Sequence, residues 1–329
     1  MKGLVPVSLL LCAAAIFMPM LFMDTRAEGE NKISEDKPPV ESHGGQVHTI
    51  SKDSETLIKV DHYGEIVDTT MAEHLPMAVA AEMPVTFEPE ALKAQAVAAR
   101  TYIVYCTEHE KGKHPEADIC CDSSCCLAYK DEKELRAAWG AAYEENMKLI
   151  RSAVESTDGQ VLCYGGETIL AAFHSSSAGK TEDGTELWGD VPYLTSVSSP
   201  ESENDVPNFV TTVEVTAENF RETIAGIAPE AKLEGDASGW VGDAELDDSG
   251  RVRSITVGGQ AITGMDVRSA FSLRSTAFTL KYADGVFVFT VTGFGHGLGM
   301  SQYGANVLAR KGFNYSEILE HYYSGAKLT

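Results

Sequence analysis

An uncharged apolar run near the N-terminus places the strongest constraint on how this 329-residue chain can fold. Residues 4–23 carry no charged side chain, with Lys2 before them and Asp24 after them. A helix of this length can cross the hydrocarbon core of a bilayer. A cleaved signal peptide is the alternative, but its apolar region is usually shorter, and no convincing cleavage site follows here. We therefore predict a retained membrane anchor over residues 1–23, as a single transmembrane helix.

The charge of the chain indicates where the remainder lies and what it does not bind. Lys2 on the cytoplasmic side places residues beyond the anchor outside the cytoplasm. Residues 24–55 are polar and poor in aromatic side chains, so they are expected to form a disordered tether. The formal net charge of -23 would repel a phosphate backbone, which argues against nucleic-acid binding.

Residues 56–329 have the pattern of a folded extracytoplasmic domain, in one body or two lobes. Two helical stretches flank the pair Met83-Pro84; the first is predicted to end at Glu82 or Met83, because a residue before proline disfavours helix. The second is predicted to start near Pro89. After Ile169 short strand-like runs dominate, and two helices follow near the C-terminus. Clustered strands with separate helices predict the α+β class, with antiparallel strands around a groove.

Three polar motifs are candidate binding or catalytic segments. In residues 80–102, Glu82 is expected at a helix-to-loop corner, while Lys93 and Arg100 share one helix face and Gln95 lies on the other. Taken alone, this segment is better explained as an ordinary amphipathic helix with a solvated basic face. Residues 171–184 contain a GKT triplet, but the glycine that a phosphate-binding loop requires is replaced by His174. Residues 293–305 carry alternate glycines that match no dinucleotide fingerprint.

Four of the seven cysteines crowd into residues 120–126. His114, Cys120, Cys125 and Cys126 could supply a closed tetrahedral zinc site, although the spacing is not that of a standard finger. Disulfides or unreactive thiols remain alternatives at this point, and adjacent cysteines are strained partners for each other.

Five motifs in this order resemble the stage II sporulation protein D family: the EMP-to-ARTY segment, FHSSSAGKTED, VPYLTSVSSPES, SLRSTAF and GFGHGLGMSQYGA. The resemblance covers roughly residues 57–329. It implies a lytic transglycosylase that cuts peptidoglycan glycan strands lacking stem peptides, between MurNAc and GlcNAc, during engulfment in sporulation. It also implies a partner amidase, a membrane scaffold and a single-pass location in the mother-cell membrane, facing the forespore.

The resemblance assigns roles to individual residues. Glu82 would be the catalytic acid. The implied substrate-binding residues are Lys93, Gln95, Arg100, His174, Ser175, Ser176, Lys180, His296, Gln302 and Tyr303. Zinc, in a structural role, would be held by His114, Cys120, Cys125 and Cys126. The chain departs from the family at two places: Cys125 replaces a histidine ligand, and Leu127 replaces a glutamine.

A single carboxyl group can cleave a glycan strand if the sugar's own C6 hydroxyl attacks, which yields a 1,6-anhydro end. Burial beside Met83 and Phe87 would keep Glu82 protonated near neutral pH. The main alternative is a non-catalytic glycan-binding scaffold for a partner amidase, which needs the groove but not Glu82. A zinc peptidase or amidase is disfavoured, because four ligands leave no open coordination position.

Overall fold

A hairpin and two long helices open the described part of the chain. The computed structural model describes residues 51–110, 112–189 and 191–329, so the predicted anchor and nearly all of the predicted tether lie outside the described residues. Within those ranges, no helix combines the length and apolarity needed to cross a membrane. The first elements are β1 (Leu57–His62), β2 (Glu65–Thr70), α1 (Met71–Glu82), α2 (Pro89–His109) and β3 (Ile119–Cys120).

Local sequence signals set the ends of α1 and α2. Thr70 and Glu73 form a capping box at the start of α1, each side chain accepting a hydrogen bond from the other residue's backbone N–H. The helix ends at Glu82, two residues before Pro84, as predicted. Pro89 is the first residue of α2, also as predicted, because proline at this position needs no N–H partner.

Helix α2 runs through the first of two hydrophobic cores. Five alanines on this helix are completely buried, and such small side chains let neighbouring helices approach closely. Helix α4 packs against α1 and α2. The elements that follow α2 and β3 are α3 (Glu132–Trp139), α4 (Tyr143–Glu155), β4 (Leu162–Tyr164), β5 (Glu167–Thr168), β6 (Phe173–His174) and α5 (Gly184–Trp188).

Residues 210–292 build the second core from two antiparallel three-stranded sheets, in the orders β10-β9-β8 and β11-β12-β7. Phe220 stacks on Phe287 at its centre, with ring centroids 3.9 Å apart. The elements are β7 (Val210–Thr216), α6 (Ala217–Ile227), β8 (Val241–Leu246), β9 (Val252–Val257), β10 (Gln260–Thr263), α7 (Gly264–Ala270), β11 (Phe278–Ala283) and β12 (Val286–Thr292).

The chain then returns to the first core. The Gly293 N–H donates to the Phe209 carbonyl at 2.8 Å, so the points where the chain enters and leaves the second core are adjacent. Ser301 pairs with His174 in a short parallel bridge between β13 and β6. The last elements are β13 (Met300–Ser301), α8 (Gln302–Arg310), α9 (Tyr315–Tyr322) and β14 (Lys327–Leu328). Mixed helices and mainly antiparallel sheets confirm the α+β class.

A buried ion pair joins the first described residues to α2. Asp53 accepts two hydrogen bonds from the Arg100 guanidinium, each 2.7 Å long. Arg100 also donates to the carbonyls of Val154 and Gln160. Asp53 falls within the stretch predicted as tether, yet it is only 4% exposed. The ordered part of the chain therefore begins earlier than residue 56.

Candidate active site and metal cluster

Glu82 is the last residue of α1, and its carboxyl group is held by two neighbouring segments. The Ala128 N–H donates to Oε1 at 2.6 Å, and the Gln302 side chain donates a second hydrogen bond. Burial raises the pKa of Glu82, and these two hydrogen bonds oppose that rise. Neither another carboxylate nor a cation contributes to the shift. Glu82 as a residue is partly exposed, although its carboxyl group is buried.

Two glutamines extend the polar contacts of Glu82 into the interior. Gln302 is the first residue of α8, and its Nε2 donates to Oε1 of Gln95 on α2 at 3.4 Å. Both side chains are buried, and Gln95 Nε2 has no hydrogen-bond partner among the described residues. The structure thus brings three predicted site residues, Glu82, Gln95 and Gln302, into one connected group.

Tyr303 lies beside the group formed by Glu82, Gln95 and Gln302. Its ring meets Phe87 edge to face, with centroids 4.9 Å apart, and its N–H donates to the Ser175 carbonyl at 3.0 Å. Phe87 follows Glu82 in the turn between α1 and α2. Burial raises the pKa of the Tyr303 hydroxyl, which therefore stays protonated and able to donate to a ligand. Ser175 and Tyr303 are both partly exposed.

His174 is buried and His296 is partly buried, with ring centroids 5.7 Å apart. His174 contacts the Leu298 carbonyl through Nδ1 and the Ser177 hydroxyl through Nε2. His296 Nδ1 accepts from the Leu298 N–H, and its ring also bonds the Phe173 carbonyl. Burial, together with nearby positive charge, lowers the pKa of both, that of His296 to about 4. Both rings are therefore neutral at pH 7 and brace the glycine-rich segment.

The other predicted binding residues have different surroundings. Lys93 lies on the face of α2 opposite Gln95, 2.7 Å from Glu90 and above the Tyr315 ring. Arg100 shares that face and is 1% exposed, so its guanidinium contacts protein rather than solvent. Two further residues are in the serine-rich loop: the Ser176 hydroxyl is buried without a partner in the described chain, and Lys180 is exposed.

Four side chains predicted to bind zinc do come together. One ligand atom from each of His114, Cys120, Cys125 and Cys126 lies within 4.8 Å of every other. In a tetrahedral site with Zn–S bonds of about 2.3 Å, neighbouring sulfurs stand roughly 3.8 Å apart, so this grouping fits a metal ion of that size. Cys121 is outside the group. None of the six described cysteines forms a disulfide.

The cysteine–histidine cluster ends two residues before the backbone N–H that holds Glu82. Cys126 is followed by Leu127, which is buried in the first core, and then by Ala128, whose N–H holds Glu82. Leu127 fills the position at which the family resemblance implied a glutamine, so its apolar side chain packs inward instead of reaching a ligand. The segment that supports the carboxyl group therefore directly follows the cluster.

The fold and site define an α+β protein with a half-buried acid at the end of a helix and a separate cysteine–histidine cluster. A family model described as "Stage II sporulation protein" matches residues 60–164. Stage II sporulation protein D of Bacillus subtilis (strain 168) is 34% identical over 336 aligned residues, covering 97% of this chain and 93% of that protein. The chain belongs to the stage II sporulation protein D family, which connects it with sporulation.

Two other relatives extend the comparison. Stage II sporulation protein D of Bacillus amyloliquefaciens is 36% identical, over 79% of this chain and 74% of that protein. A protein named amidase enhancer, from Bacillus subtilis (strain 168), is 29% identical over 75% of this chain but only 39% of its own length.

Three residues that contact predicted site residues or lie beside them were not predicted from the sequence. Ala128 acts through its backbone, which no side-chain pattern reveals. Asp53 lies in a polar stretch that resembles a tether. Arg274, beside Tyr303, belongs to the SLRSTAF motif, which marked the family without indicating a role. For Arg274, membership of the SLRSTAF motif was the one signal in the sequence that could have identified it.

Proposed function

We propose that the protein is a peptidoglycan lytic transglycosylase with Glu82 as its general acid. One observation carries the proposal: burial raises the pKa of the Glu82 carboxyl group, which the Ala128 N–H and the Gln302 side chain hold at the end of α1. Among the described residues, no second carboxylate contributes to that shift. Such a group delivers a proton near neutral pH. Hydrolysis of a glycosidic bond ordinarily uses two carboxyl groups, whereas intramolecular transfer needs one.

The proposed reaction consumes no water. Glu82 gives its proton to the glycosidic oxygen as the bond from the MurNAc anomeric carbon breaks, releasing a GlcNAc hydroxyl. The C6 hydroxyl oxygen of the same MurNAc then bonds to the anomeric carbon, and its proton returns to Glu82. Between these steps the ionised carboxylate is stabilised by the Ala128 N–H and the Gln302 amide. The product ends in 1,6-anhydroMurNAc.

The remaining site residues are proposed to bind the strand. Gln95, Gln302, Ser175 and Tyr303 lie in or beside the group around Glu82, and their amides and hydroxyls suit sugar hydroxyls. Lys93 and Lys180 could contact the strand farther along. Arg100 is left out of the proposed groove, because it is buried in its pair with Asp53.

His114, Cys120, Cys125 and Cys126 are proposed to hold a structural zinc ion. Zinc in such a closed site supplies cross-linking of the loop rather than chemistry at the substrate. This role fits the place of the cluster, two residues before Ala128. The N-terminal run is proposed to anchor the enzyme in the mother-cell membrane, with the folded part acting on the wall that faces the forespore.

The relative named amidase enhancer favours a second candidate, a glycan-binding scaffold that assists a partner amidase without cutting. The two candidates make opposite predictions for Glu82. A scaffold needs the groove residues but not the acid, whereas the transglycosylase requires both.

The deciding experiment compares Glu82→Gln with the unaltered protein on purified glycan strands, with and without stem peptides, and identifies product ends by mass. The unaltered protein should release 1,6-anhydro ends from peptide-free strands. Loss of a general acid costs roughly 10²–10⁴-fold in rate, so Glu82→Gln should abolish detectable release while still binding glycan. Glu88→Gln, at an exposed position six residues away, is the matched control and should retain activity. Cleavage by Glu82→Gln would refute the proposal.

A further inference from the structure

Arg274 is a partly buried cation that the proposed reaction does not use. It lies between α7 and β11, in the turn that carries the SLRSTAF motif. Its guanidinium stacks 4.5 Å above the Phe294 ring, and Nη1 donates to the Asn208 carbonyl at 2.7 Å. These contacts fix the guanidinium plane before any ligand arrives, which reduces the entropy lost on binding.

No carboxylate of the described residues neutralises this guanidinium. Among the described residues Arg274 takes part in no ion pair, whereas Lys93 is paired with Glu90 and Arg100 with Asp53. Burial lowers the pKa of Arg274, and within the described ranges the one charge interaction that opposes this comes from Tyr303. In a chain of net charge -23, an unpaired and half-buried arginine is conspicuous, because acidic groups are abundant. The Arg274 guanidinium can therefore pair with an anionic group of a bound ligand.

Backbone contacts link Arg274 to the proposed groove. Phe294, on which Arg274 stacks, exchanges two backbone hydrogen bonds with Ser176, and the neighbouring Ser175 carbonyl accepts from the Tyr303 N–H. The charge of Arg274 also lowers the pKa of Tyr303. Tyr303 packs on Phe87 and follows Gln302, which bonds Glu82. An anionic group on a sugar next to the cleavage point would therefore lie within the field of Arg274.

We propose that Arg274 binds the free lactyl carboxylate of a muramic acid residue in the groove, an inference that rests on the proposed function. A stem peptide is joined to the strand through this carboxyl group, as an amide. Removal of the peptide restores the carboxylate and its charge, and a guanidinium fork discriminates a carboxylate from a neutral amide. Arg274 would thus make the enzyme select strands whose stem peptides have been removed.

The test measures binding, in a Glu82→Gln background that prevents cleavage. The ligands are a peptide-free tetrasaccharide of alternating MurNAc and GlcNAc, the same tetrasaccharide with each lactyl carboxyl converted to a primary amide, and chitotetraose. With Arg274 present, the carboxylate form should bind on the order of tenfold more tightly than the amide or chitotetraose, as one charged hydrogen-bonded contact provides. Adding Arg274→Gln should remove the preference.

Two further variants distinguish ligand binding from a structural role. Arg221→Gln is the matched control, because Arg221 stacks on Trp240 at 4.7 Å in the second core, and it should leave the preference unchanged. Arg274→Lys keeps the charge without the planar fork and should keep part of the preference. If the Glu82→Gln protein, which retains Arg274, bound the carboxylate and amide ligands with equal affinity, the inference would be overturned. Failure to bind all three glycans would instead count against the proposed function.

Discussion

The buried pair between Asp53 and Arg100 allows a quantitative prediction about what Arg100 does. The side chains are 6% and 1% exposed, and two 2.7 Å hydrogen bonds join them. Asp53→Ala would leave the Arg100 charge buried without its carboxylate, a change that typically costs about 3–5 kcal/mol in the free energy of unfolding. For a folded part of this size, that loss lowers the melting temperature on the order of 10 °C.

The assay is urea and thermal unfolding of Asp53→Ala, Arg100→Met and the double variant, followed by circular dichroism. Because the two residues form one unit, the double variant should be far less destabilised than the sum of the single variants. Glu132→Ala, which removes an exposed ion pair with Arg136, is the control and should cost no more than about 1 kcal/mol. A cost for Asp53→Ala below that of the control, or strict additivity, would refute the structural role of Arg100.

Two other predictions concern the cluster and the acid. Cys126→Ser should lower the bound zinc, measured by elemental analysis, from about one ion per chain. It should also slow glycan cleavage, because Ala128 is no longer held against Glu82. Full activity without metal would contradict this prediction. Burial raises the pKa of Glu82, so the cleavage rate should be highest where this carboxyl is protonated and should fall as pH rises through its folded pKa. His296, with a pKa of about 4, should add no rising limb between pH 5 and 7, and a bell-shaped profile there would indicate a second titrating group.

Local chemistry explains what the sequence could predict. Pro84 and Pro89 act on their own neighbours, so the end of α1 and the start of α2 were predicted correctly. Close spacing along the chain also brought the four cluster residues within reach of each other. The strand-like runs after residue 209 correspond to β7, β9, β11 and β12.

Long-range contacts explain what the sequence could not predict. Helical periodicity placed Lys93 and Arg100 on one face of α2, but it could not show that Arg100 is buried against a residue 47 positions earlier. The support of Glu82 by Ala128 is a backbone contact across 46 residues and leaves no mark in residue type. Helices α6 and α7 went unpredicted within the strand-rich region, because short helices capped by threonine resemble turns.

The contact between Phe209 and Gly293 gives the second core the character of an insertion. Its two ends meet across a single 2.8 Å hydrogen bond, so residues 210–292 could in principle be cut out and the gap closed by a short turn. The part that remained would keep Glu82, the two glutamines and the cysteine–histidine cluster. It would lose Arg274. Chemistry and substrate choice would thus reside in separable portions of one chain, and exchanging the inserted portion between relatives would be a direct way to change which strands are cut.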